Sequence, residues 1–359
     1  MKKALGRPLV LLLIAALGVS ALVATTAMAT SKTSKASVQV CVLLPDTKSS
    51  VRWVQFDAPA FQAAFKKAGV SASINNALND PTKQKAQSQQ CLASGAKVVI
   101  ETALDNGSAA AIEKLFTSAG GHAIDYDRQV IGGTASIYVT FDGKSVGEAQ
   151  ANGIIAAMKA NHTYNSNSTV AELFGGPTDQ NAFWFKSGND AVLNPLFSQG
   201  HITKGPQQFV PDWLATNAGP IFAQMLVKTN NKIDAAIAAN DNIAGAVIAD
   251  LKAKGLKPVP LSGQDATAQG VQYILAGWQS GTVYKFVPDE ANAAAAAAVA
   301  LIKGRTPHSN GYRMNGTKKE PTLALPVEWI TKSNYKQLFT QGWLKKSEVC
   351  IGEYKQYCK

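Results

Sequence analysis

Short apolar runs alternate with amphipathic stretches along almost the whole chain. Val38 to Leu44 (VQVCVLL) is rich in β-branched residues and predicts a strand, and Ala58 to Ala68 carries Phe61, Phe65 and Ala68 at helical spacing before Gly69. A second strand is expected at Ala72 to Ala77, a helix at Pro81 to Ala93, and a third strand at Lys97 to Thr102. Helix Ala109 to Ala119, strands His122 to Tyr126 and Ile137 to Phe141, and helix Gly147 to Lys159 continue the rhythm. A second series places strands at Thr169 to Phe174, Gln207 to Val210, Ala235 to Ala239 and Val259 to Gly263. Helices fit between them at Phe183 to Leu196, Asn217 to Lys228 and Ile243 to Lys254. Strand Thr282 to Phe286, an Ala-rich helix Ala291 to Ile302, and segments Thr322 to Pro326 and Tyr335 to Gly342 complete the pattern. Strict strand and helix alternation builds parallel sheets covered on both faces, so two α/β lobes with Rossmann-like, doubly wound sheets are expected.

The first 29 residues follow a different logic. Lys2, Lys3 and Arg7 precede an apolar run from Leu9 to Val23, and Ala27-Met28-Ala29 supplies a small-residue cleavage pattern, which reads as a secretory signal peptide. An uncleaved N-terminal anchor is the alternative. Thr30 to Ser37 is then a polar leader, and the first cysteine, Cys41, lies too far on to serve as a lipid anchor. The length of 359 residues suits two domains, and 46% apolar against 16% charged residues suits large cores. The net charge of +11 falls to about +8 without the signal peptide, and scattered lysines give no basic patch for nucleic acid.

Export makes disulfides admissible. Cys350 and Cys358 bracket a short polar tail that a staple would order. In a sheet of order 2-1-3, the helix joining strands two and three crosses strand one, which sets Cys91 over Cys41 and predicts a bridge there, two separate buried thiols being the alternative. No C-x-x-C occurs and His122, His162, His201 and His308 stand apart, so neither metal nor cofactor is expected.

In open α/β sheets ligands bind beyond the carboxyl ends of the strands. Those ends are polar and aromatic here: Asp46, Lys48, Arg52 and Trp53; Asp127 and Arg128; Asp179 and Asn181; Trp213; Asn240 and Asp241; Asp265; Lys285. Taken singly, Asp241 reads equally as a helix cap and Asp46 as a turn residue, whereas Trp53 and Trp213 stand beside polar neighbours in strand-end loops and read as ligand plates, with core packing the alternative. Taken together, acceptors, fixed cations and flat aromatic plates suit a ring of hydroxyls with an apolar C–H face.

The segments CVLLPDTKSSVRW, IDYDR, GGPTDQNA, AANDNIAG, SGQDA and TVYK resemble, in that order, the D-xylose-binding proteins of ABC transporters, within the ribose-type (type I) periplasmic sugar-binding family. The resemblance runs from about Val38 to Trp343. It implies two lobes joined by three crossovers, a single pentose or other aldose in the cleft, a membrane permease as partner and a monomer in the periplasm or outside the cell. Carried over by motif, it makes Lys48, Arg52, Trp53, Asp127, Arg128, Asp179, Asn181, Trp213, Asn240, Asp265 and Lys285 the expected sugar contacts, Lys48 lying in a segment that varies among relatives. The expected division is 1–29 signal peptide, 30–37 leader, 38–142 with 268–312 as one lobe, 143–267 with 313–343 as the other, and 344–359 as a tail. Crossings are expected near Phe141 to Lys144, near Gly263 to Thr267, and within Gly311 to Pro321. A chemoreceptor as a further partner is compatible with the same pattern.

Two other classes fit less well. A secreted glycosidase needs one carboxyl kept protonated, whereas Asp127, Asp179 and Asp265 each stand beside an expected cation that holds them ionised. A sugar-responsive transcription factor carries a helix-turn-helix where this chain has its export signal. P-loop and G-x-G-x-x-G motifs do not occur.

Overall fold

The computed structural model describes residues 37–358, so the expected signal peptide, and the leader up to its last residue, lie outside the described residues. In chain order come β1 (Val40–Leu44), α1 (Ala58–Ala68), β2 (Ala72–Asn76), α2 (Pro81–Ala93), β3 (Val98–Glu101), α3 (Asn106–Ser118), β4 (His122–Tyr126) and β5 (Ile137–Phe141). Then follow α4 (Gly143–Ala160), β6 (Thr169–Phe174), α5 (Gln180–Ser198), β7 (Thr203–Phe209), α6 (Ala215–Lys228), β8 (Ala235–Ala238), α7 (Asp241–Ala253), α8 (Ala268–Ala276) and β9 (Thr282–Tyr284). The chain closes with α9 (Val287–Ile302), β10 (Gly311–Asn315), β11 (Lys318–Leu325), β12 (Glu328–Ile330), α10 (Gln337–Thr340) and α11 (Lys346–Val349).

The first sheet has the order β2-β1-β3-β4-β5-β11-β10, parallel except for β10. Alternation along β1 sends Val40, Val42 and Leu44 to a core shared with α1 and α9, and Cys41 and Leu43 to one shared with α2 and α3. That second face brings Cys41 under α2, where it is bonded to Cys91; Cys350 is bonded to Cys358, and no cysteine among the described residues is free. The second sheet runs β7-β6-β8 in parallel. Single bridges from Ala236 to Leu261 and from Gln264 to Val283 extend it through β9 to an antiparallel β12.

Helix starts are held locally. Asp80 accepts from the amides of Thr82 and Lys83 ahead of α2, with Pro81 at the first helical position, and Asp105 accepts from Ser108 ahead of α3.

Three sequence expectations change. Val259 to Gly263 forms no strand, only the bridge at Leu261. The β9 segment belongs to the second sheet, and β10 and β11 to the first, which reverses their expected lobes. The chain therefore passes between sheets at Asp142, over Lys285 to Phe286, and over Pro326 to Val327, not near Gly263 to Thr267 or within Gly311 to Pro321. Partner choice for a three-residue strand is a non-local matter. The β10–β11 hairpin did carry a local signal, since Gly316, with φ of +61°, opens its two-residue loop. Finally, the segment after β12 builds a third small core with α8, β9 and Phe56. Among the described residues, no helix is long and apolar enough to cross a membrane.

Candidate functional site

The carboxyl ends of both sheets converge on one cavity. Its lining comprises Ser49, Ser50, Arg52, Trp53, Asp127 and Arg128 from the first sheet's loops, and Asp179, Asn181, Phe185, Trp213, Asn240, Gln264, Asp265 and Lys285 from the second's. Ten of the eleven sequence-chosen residues are thus brought together. Lys48 is not: its side chain is exposed, and only its backbone takes part, the amide donating to Asp46 and the carbonyl accepting from Asn242. Lys285, expected in the first lobe, stands after β9 at the crossing between sheets.

Arg52 organises the first wall. Its Nε and Nη2 donate to the two oxygens of Asp57 at 3.0 and 2.8 Å, Nη2 also to Glu290 Oε2 at 2.6 Å, and Nη1 to Asp127 Oδ2 at 2.5 Å. Tyr126 donates to Asp57 Oδ1 at 2.6 Å. Burial disfavours the charged guanidinium, yet the three carboxylates reverse this and raise its pKa. Burial favours a neutral Asp127, but Arg52, Lys285 and Arg128 together hold its carboxyl below the usual range. For Asp179 the balance is opposite to the sequence expectation. Burial outweighs Arg128, whose Nε lies 3.0 Å away, and raises the carboxyl. Burial likewise pushes Glu290 up to about 8 against the pull of Arg52.

Each tryptophan lines the cavity as expected but is also core, contrary to the expected loop placement. Trp53 is 3% exposed and packs in the first core, with the Arg52 guanidinium 4.4 Å from its ring centre and Nε1 donating to Ser49. Trp213 is 7% exposed, packs in the second core, and donates from Nε1 to Asp179 Oδ2 at 3.1 Å. A Cβ on Gly175 would stand 2.1 Å from the Trp213 ring, so that position requires glycine. Several cavity residues have left-handed backbone: Asp127 (φ +63°), Trp213 (φ +59°) and Asp265 (φ +92°). Such conformations persist only where the surroundings enforce them, and they aim these side chains inward from strand ends.

The two walls already touch. Asn181 Nδ2 donates to the Asp127 carbonyl at 2.7 Å, and Asn240 Nδ2 to the Ser49 carbonyl at 3.2 Å. Asn240 also caps α7 by accepting from Ile243 N, so the cap expected of Asp241 falls to its neighbour. Asp241 is buried and accepts from Thr267 and Gln279. Asp46 is a turn residue, accepting from Lys48 N and Ser49 N.

A family profile described as periplasmic binding protein domain matches residues 40–306. The chain belongs to this family. Its members are non-enzymatic solute-binding proteins of transporters. The chain is similar to the D-xylose-binding periplasmic protein of Escherichia coli (strain K12), 33% identical over 83% of this chain and 88% of that one. The multiple sugar-binding periplasmic receptor ChvE of Rhizobium radiobacter is 28% identical over 84% and 89%. A carbohydrate transporter solute-binding protein from Chloroflexus aurantiacus, solved with D-glucose, superposes with a TM-score of 0.78 at 28% identity, covering 86% of this chain and 97% of that one.

Ser49, Ser50, Phe185 and Gln264 were not singled out from sequence. Ser49, Ser50 and Gln264 lie inside the motifs PDTKSSVRW and SGQDA and were findable there; Phe185 reads as helix interior. Asp57 and Glu290 gave no signal, because a carboxylate in a helical pattern reads as solvated surface. Among the described residues, no cluster of His, Cys, Asp or Glu is arranged to hold a metal ion.

Proposed function

We propose that this protein captures a single aldose, D-xylose first among candidates, in the cavity between its sheets and delivers it unchanged to the permease of an ABC transporter. The observation that carries this reading is the lining itself. Arg52, Asp127, Arg128, Asp179, Asn181, Asn240, Asp265 and Lys285 offer donors and acceptors held by one another, and Trp53 and Trp213 add aromatic surface. Residues of both sheets surround the space, which suits one small solute rather than a polymer chain. The likeness to the D-xylose-binding protein of Escherichia coli supports xylose. Another aldose is the second reading, favoured by the glucose complex of the Chloroflexus relative and by the multiple-sugar receptor. Processing near Ala29 and residence in the periplasm or outside the cell follow from the same reading.

Calorimetric titration with D-xylose, D-ribose, L-arabinose, D-glucose and D-galactose, with analysis of the recovered sugar, tests it. One sugar bound per chain and returned unaltered is expected, with xylose tightest. Tighter glucose binding would move the assignment to the second reading, and turnover or no binding at all would overturn both.

A further inference from the structure

The C-terminal segment beyond β12 has no part in the cavity lining, yet one of its residues reaches behind three residues that do. Trp343 is 4% exposed and sits in the third core. Its Nε1 donates to the Ala266 carbonyl at 2.9 Å, directly after Asp265. Asp265 and Ala266 both hold positive φ, +92° and +45°, which costs energy for residues other than glycine and needs an external restraint. The Trp343 ring stacks on Phe56 with centroids 3.8 Å apart, and Phe56 precedes Asp57, the bidentate partner of Arg52. The same ring meets Tyr284 at 5.4 Å and Phe286 at 6.4 Å, the two neighbours of Lys285 at the crossing between sheets.

The geometry points to Trp343 as a positioning residue for the ligand cavity: it fixes the wall made by Arg52, Asp265 and Lys285 from behind, without touching the ligand. This inference rests on the sugar-binding reading. The indole is held in turn by the tail. Gln272 of α8 donates to the carbonyls of Glu348 and Val349, and Cys350, Tyr357 and Cys358 pack on the same core. α8 starts after Thr267, so the tail and Trp343 together brace the Gln264 to Thr267 loop from its far side. The tail thereby acquires a role: it anchors the support of the cavity, and the Cys350–Cys358 bond closes that anchor.

The test uses the full mature chain, titrated with D-xylose and the other aldoses above. Trp343→Phe keeps an aromatic ring beside Phe56 but removes the N–H donor together with part of the indole's buried volume; it should weaken binding roughly fivefold or more, the effect of at least one buried hydrogen bond. Phe56→Leu removes the stack and should weaken binding to a similar extent, giving an independent reading should the Trp343 variant fold poorly. The decisive measurement is a double-mutant cycle. In an Asp265→Asn background, Trp343→Phe should cost less than twofold, because its effect is transmitted through Asp265. Full additivity, or wild-type affinity in both folded single variants, would overturn the inference while wild-type sugar binding stood. Failure of the wild type to bind any aldose would instead overturn the sugar reading, and this inference with it.

Discussion

Arg52 and Trp53 are adjacent, and their surroundings separate what each contributes. Arg52 is a fixed cation locked by Asp57, Asp127 and Glu290, while Trp53 is both a plate on the cavity and part of the core. Because Trp53 and Trp213 are almost fully buried, truncation of either to alanine should cost about 3–5 kcal/mol of stability as well as affinity. Thermal melts alongside titrations check this; loss of affinity with an unchanged melting temperature would show them to be loop plates alone. Gly175→Ala gives a sharper test, since its Cβ would displace the Trp213 ring, and binding should fall more than tenfold, by the rule that about 1.4 kcal/mol is a decade. Burial also makes Glu290 a pH-sensitive member of the wall. A carboxyl raised to about 8 in the fold contributes stability that is complete below the ordinary carboxylate range and is lost as pH climbs through 8. Glu290→Gln should therefore flatten part of the decline in melting temperature between about pH 5 and pH 8. A decline identical to wild type would remove Glu290 as a cause.

At the scale of elements, the covalent links tie strand to helix and tail to core. Cys41 and Cys91 are 50 residues apart in sequence, and a loop of that length predicts a loss of about 4 kcal/mol when both are replaced by serine. The shorter Cys350–Cys358 loop should give less. Mass spectrometry of a non-reduced digest checks the pairings, and melts of the paired serine variants check the order of the two losses. Continuous apolar runs and helical patterns placed most elements within a few residues, because the central strands are buried on both faces and helix burial is confined largely to one side. The strand β9 and the segment that forms β11 were assigned to the wrong sheets, and β10 was read as a crossing, because pairing partners are chosen in three dimensions. Of the cavity, ten residues were legible because strand ends in such sheets are a known place to look; Lys48 was not separable, since its loop turns only its backbone inward.

For the molecule as a whole, the contacts of Asn181 with Asp127 and of Asn240 with Ser49 join the two walls. Hinge closure around a ligand is a general feature of periplasmic binding proteins, and a ligand shifts such an equilibrium only through contacts that differ between states. A sugar touching both walls should favour the joined form, so small-angle scattering should show a smaller radius of gyration with saturating sugar. An unchanged radius, with binding confirmed in the same sample, would mean that the walls stay joined without ligand. Stability should also respond to pH globally. Burial raises Glu101, Glu113, Asp125 and Glu320, takes Glu172 to about 7 and Asp241 to about 6, so melting temperature should fall across the same interval. Asp127 acts in the opposite sense: its contribution is complete above the ordinary carboxylate range and is lost as pH falls through its lowered pKa.

The sequence by itself determined the alternation that builds two parallel sheets, the strand-end motifs that carry polar and aromatic side chains, and the spacing that sets Cys91 over Cys41. These are local or nearly local properties, fixed by period, by turn chemistry and by which residue types follow each strand. Only the tertiary structure decided where the chain crosses between sheets, that Asp57 and Glu290 hold Arg52, that Asp179 is raised rather than lowered, and that Trp343 stands behind the cavity. Each of these depends on how much water is excluded around a group and on which distant residue fills the space beside it, and neither quantity is written along the chain.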